Sequence, residues 1–91
     1  MVLGIWRADL SALSFQPPEH TGECLVHRGA FRTLLGFDPS PADCKQWFTI
    51  HYAAVYQAAA EKISRVNLHA QARFHLTSRD IMRALLPRQI P

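Results

Sequence analysis

The sequence is short of the pieces from which catalytic motifs are usually assembled. Its four glycines, Gly4, Gly22, Gly29 and Gly36, are isolated, so no glycine-rich loop exists to cradle a phosphate. Its carboxylates are few and scattered, and no acid–base pair stands out among them. Only two cysteines occur, Cys24 and Cys44, both in apolar contexts where a free thiol behaves as a small hydrophobe. No run approaches the roughly 18 apolar residues of a membrane span. The stretch from Met1 to Leu10 is interrupted by Arg7 and Asp9 and lacks the ordered regions of a signal peptide. These absences set the expectation of a cytoplasmic protein with reduced thiols, no membrane contact and no cofactor. Lysine is scarce too: only Lys45 and Lys62 stand beside eight arginines. Such a bias follows genome composition as readily as it follows a surface built for bidentate contacts.

What is present is a globular chain. With 91 residues, 48% hydrophobic and 19% charged, it has enough apolar surface to collapse and room for one core. It reads as a single domain over 1–91, with a body at about 10–80 and a C-terminal helical extension at 81–91. Leu10 to Phe15 reads as a strand that Pro17-Pro18 ends, because proline lacks the N–H that a ladder needs. Glu19 to Gly22 forms a hairpin loop, and Glu23 to His27 a second strand, with Cys24 and Val26 on one face. Arg28 to Leu35 reads as a short helix closed by Gly36.

The strongest local signal follows. Ser40 suits an N-cap, Pro41 the first helical position, and Asp43 the reciprocal partner of a capping box. The pattern predicts one long helix from Pro41 to about Arg65 with no internal glycine or proline. Cys44, Phe48, His51, Val55, Ala59 and Val66 share one side, and Trp47, Tyr52, Ala58 and Ile63 widen that stripe into an arc suited to lying across a sheet. After a polar connection at Asn67 to Gln71, Ala72 to Thr77 alternates as a third strand with Phe74 and Leu76 inward. Thr77 and Asp80 repeat the capping box and open a last helix, which Pro87 and Pro91 limit to about two turns. The expected architecture is an α+β two-layer sandwich, β-β-α-α-β-α, with a small three-stranded, mainly antiparallel sheet under one long helix.

The histidines at 20, 27, 51, 69 and 75 raise the question of metal or nucleophilic chemistry. Cys24-x-x-His27 is the one metal-like spacing, but residues three apart on a strand face opposite ways and cannot share an ion. Cys44 and His51 lie about 10.5 Å apart along one helix, too far for a thiol–imidazole pair. No metal ligand set and no catalytic residue is assigned. His51 lies inside the apolar arc beside Tyr52, and both are candidate buried polar or interface residues. A buried neutral His51 would lose stability on protonation near about pH 6.

The net charge of +3 is unevenly spread. Residues 1–61 carry four basic and six acidic side chains, whereas 62–91 carry six basic ones against Asp80 alone. Arg73, Arg79 and Arg83 form a candidate basic patch for phosphates. No aromatics interleave with them for stacking, which argues against single-stranded nucleic acid. Ile81, Met82, Leu85 and Leu86 make an apolar helix side and a candidate association surface.

Three segments carry a likeness to a known family. They are Leu13-x-Phe15 with Gly22-Glu-Cys24 and Ala30-Phe31, then Phe48-Thr-Ile-His51-Tyr52-Ala-Ala-Val55 with Ala59 and Ala60, then Leu76-Thr77-Ser-Arg-Asp80. Over about residues 13 to 80 the chain resembles the small bacterial family catalogued as domain of unknown function 1488. The resemblance implies a β-β-α-β layout closing on a strand and an aspartate, and it implies no activity. Where that family often has a basic residue this chain has Tyr52, so no shared polar contact is implied there. The resulting expectation is a non-enzymatic protein-interaction module that self-associates as a homo-oligomer or binds a protein partner. The alternative is a nucleic-acid-binding accessory protein that uses the basic C-terminal third.

Overall fold

The computed structural model describes residues 4–86. Four strands form one mixed sheet in the order β1 (Ile5–Arg7), β2 (Ala12–Phe15), β3 (Cys24–His27) and β4 (Phe74–Leu76). β2 runs antiparallel to both β1 and β3, and β4 lies parallel to β3. Between β3 and β4 the chain passes through α1 (Arg28–Leu35), α2 (Pro41–Ile50) and α3 (Tyr52–Arg65), and α4 (Ser78–Leu85) follows β4. A crossover of that kind is what parallel neighbours require.

The register gives the sheet two unlike faces. Trp6, Leu13, Val26 and Leu76 stand in one row, and Leu13, Val26 and Leu76 are fully or almost fully buried under the helices. The adjacent row, Ile5, Ser14, Leu25 and His75, belongs to the opposite face. Helices supply Phe31, Cys44, Phe48, Val55, Ala59 and Ile81 to the core. Phe15 sits 5.2 Å from the Phe48 ring and stacks on Tyr56 at 5.4 Å, joining β2 to α2 and α3. Aromatic pairs at such separations add stabilisation beyond their buried area.

The α+β class and the local start signals match the sequence reading. Ser40 Oγ accepts from Asp43 N at 3.1 Å while Asp43 Oδ2 accepts from Ser40 N at 2.9 Å, with Pro41 opening the helix. Gly36 closes α1 at φ 82°, a left-handed conformation that costs glycine nothing.

Three expectations need correction. The sheet has four strands and is mixed: β1 was missed because three residues carry too little alternation to register, yet they pair fully with β2. The first expected strand begins later, at Ala12, because Leu10 N donates to Arg7 O at 3.1 Å and Ser11 takes φ 47° in a tight turn. The single long helix is two helices broken at His51, whose φ −111° and ψ 22° leave the helical region. On either side of the break the partners differ: α2 packs beside β1 and α3 packs against α4. No glycine or proline marks the break, but it falls within Phe48-Thr-Ile-His-Tyr52, a run of weaker helix formers. Helix α4 ends at Leu85, and Leu86 is extended at ψ 139°, as a residue preceding proline prefers. The proposed stops at Pro87 and Pro91 lie outside the described residues.

Candidate functional site

Helix α4 divides the proposed association surface. Ile81 is fully buried and belongs to the core, so it is not available to a partner. Met82 at 47%, Leu85 at 40% and Leu86 at 62% exposure remain on the surface. The capping box at Thr77 and Asp80 holds the start of the helix, with Asp80 N donating to Thr77 Oγ1 at 3.1 Å and Thr77 N to Asp80 Oδ2 at 2.9 Å.

The three arginines do not make one patch. Arg73 donates through Nε to Glu23 Oε1 at 2.7 Å, and its Nη2 makes a second bond to the same oxygen. Arg83 lies 3.6 Å from Asp80 Oδ1 on α4. Among the described residues Arg79 makes no ion pair. The basic side chains that the fold gathers are Lys62, Arg65 and Arg83, all around Asp80. Sequence reasoning missed Lys62 and Arg65 in this role, since only the packing of α3 on α4 brings them to Asp80. Burial by itself pushes the Asp80 carboxyl up. The Thr77 N–H, the Lys62 ammonium and the Thr77 hydroxyl outweigh it and hold the pKa down at about 2.

A second polar knot sits on the open sheet face. Glu23 accepts from Ser14 Oγ at 2.5 Å, from Arg7 Nη1 at 2.8 Å and from Arg73. The Ser14 hydroxyl bond leads the causes that hold its carboxyl below the ordinary range, ahead of an opposing burial effect and the two guanidinium groups. A hollow of about 320 Å³ lies beside it, between Gly4, Gln16 and Thr21, but its single carboxylate is already engaged.

The candidate polar pair separates. His51 is half-buried at the helix break with its ring 4.3 Å from Trp47, while Tyr52 is 45% exposed and meets Tyr56 edge-on at 5.7 Å. The buried histidine is instead His20, whose Nε2 lies 2.7 Å from Ala72 O and whose ring meets Phe74 edge-on. His27 and His75, on adjacent strands, approach to 5.8 Å between ring centres. They line a cleft of about 310 Å³ with Gly29, Thr33, Thr77 and Ser78. Both cysteines are fully buried, and burial pushes both thiols up, which removes the accessible thiolate that a nucleophile requires. Among the described residues, no three histidine, cysteine, aspartate or glutamate side chains converge as a metal site, and no helix is long and apolar enough to cross a membrane.

No protein-family model, curated protein or solved structure matches the chain.

Proposed function

We propose that the chain is a non-catalytic interaction module that pairs with a second copy of itself through the exposed side of α4. The observation that carries this reading is the split within one helix. Ile81 anchors α4 in the core, while Met82, Leu85 and Leu86 stay uncovered together on one short stretch of chain. Arg83 and Arg65, half-exposed, stand beside Asp80 in the first turn of the same helix. A stable dimer buries about 1,600 Å² in total, so these three side chains would form the centre of a larger contact. The family resemblance belongs to the same proposal, supported by the hairpin-to-strand order that ends on Thr77 and Asp80.

Sedimentation of the chain at high micromolar concentration tests the idea. A dimer is expected, and Leu85→Glu with Leu86→Glu should return a folded monomer. A strict monomer for the parent chain overturns it. The nucleic-acid reading has less support, because Arg73 and Arg83 are committed to Glu23 and Asp80. It keeps one favourable observation, the excess positive charge of Lys62, Arg65 and Arg83 over Asp80. No gel shift with RNA or DNA at about 50 mM salt would end it, since phosphate contacts are strongest at low salt.

A further inference from the structure

We propose that His27 and His75 together bind one late first-row divalent cation, of the zinc, nickel or copper class, at the mouth of the cleft between α1 and α4. The pair is invisible in sequence, where 48 positions separate the two. The parallel register of β3 and β4 sets Leu25 beside His75, and His27 lies two residues further along β3 on the same face. Both side chains are exposed. Among the described residues, neither imidazole has a side-chain hydrogen-bond partner, so its nitrogens are uncommitted. Of the remaining histidines, His20 is held by Ala72 O and His69 Nδ1 accepts from Gln71 N at 3.3 Å, while His51 lies tilted against Trp47 rather than beside a second imidazole.

The spacing fits chelation. With metal–nitrogen bonds of about 2.0–2.1 Å, two imidazoles on a tetrahedral ion stand about 5.2 Å apart between ring centres, and about 6.4 Å apart if opposed. The observed 5.8 Å lies inside that range. Two nitrogen donors select zinc, nickel or copper over magnesium and calcium, which want oxygen. The other coordination positions would open on the cleft, where Thr33 and Ser78 stand among Gly29, Ala30 and Leu76. A cation here meets the positive ends of two helices. That of α4 is already offset by Asp80 in its capping box, and that of α1 has no acidic residue in its first turn. An uncompensated helix end weakens cation binding by about fivefold. Two imidazoles, taken as half of a four-ligand site, give a Kd between about 1 and about 200 µM, so coordination outweighs the repulsion.

Calorimetric titration of the untagged full chain with zinc chloride and with nickel chloride tests the proposal. One ion per chain is expected, with His27→Gln and His75→Gln each weakening binding by tenfold or more and His69→Gln leaving it unchanged. Failure of the parent chain to bind either metal below about 1 mM overturns it. So does a His75→Gln variant that binds like the parent, or a His69→Gln variant that loses binding. Copper(II) added to the unmutated chain supplies a readout free of any folding effect. Paramagnetic broadening should reach the His27 and His75 ring resonances first, and broadening that spares both overturns the assignment.

Discussion

Lys62 Nζ lies 3.0 Å from Asp80 Oδ2 and also donates to His75 O at 2.8 Å. One ammonium therefore ties α3 to the cap of α4 and satisfies a carbonyl of β4. Asp80 is only 6% exposed and Lys62 19%, so water screens this pair far less than the surface pairs of Arg28 and Arg32 with Asp38.

Asp80→Ala should be among the most damaging polar substitutions. It removes the Thr77 capping box and leaves Lys62 half-buried without its counter-ion. Denaturant unfolding should show a loss of about 3 kcal/mol, whereas Arg83→Ala, removing a longer and more exposed contact, should cost less than about 1 kcal/mol.

Acid should act through the same carboxylate. The folded-state pKa of about 2 lies below the ordinary 3.8, so the stabilisation is complete above about pH 3.8 and is lost as pH falls through about 2. Its size is about 2 kcal/mol. Stability measured against pH should fall less steeply in this window for Asp80→Asn than for the unmutated chain.

Gly22→Ala should destabilise by about 3 kcal/mol, at the upper end of overpacking costs, because a Cβ there would stand 2.1 Å from Ala72 O. The obstacle is backbone, held close by Thr21 N and Gly22 N, which both donate to Ala70 O. Gly29→Ala, where a Cβ meets nothing within 4 Å, serves as the control and should leave the melting temperature unchanged or raised.

Both thiols should resist labelling. Cys24 and Cys44 lie fully buried in the core with their thiols pushed up by burial. A thiol reagent at neutral pH should therefore modify neither in the native chain and both after unfolding. Fast native labelling of either would place that cysteine outside the core.

Some features were legible because they are local. Ser40-Pro41-x-Asp43 and Thr77-x-x-Asp80 each carry their whole hydrogen-bond logic within four residues, and both caps form as read. Alternation placed Phe74 and Leu76 inward and His75 outward for the same reason. The break at His51 was read over because Pro41 to Arg65 has no internal glycine or proline, although the run Phe48-Thr-Ile-His-Tyr52 around it consists of weaker helix formers. Nor was the burial of His20, a polar side chain in a loop, which depends on a carbonyl 52 positions away.

The sequence by itself determined the α+β class, the hairpin, the starts of α1, α2 and α4 and the inward residues of the central strands, because propensity, capping and period are short-range. Only the tertiary structure decided that β4 joins β3 in parallel, that Ile81 belongs to the core, and that Asp80 rather than Arg73 organises the basic C-terminal third. Those outcomes follow from which distant surfaces meet when the apolar faces are buried together, and no local pattern encodes the partner.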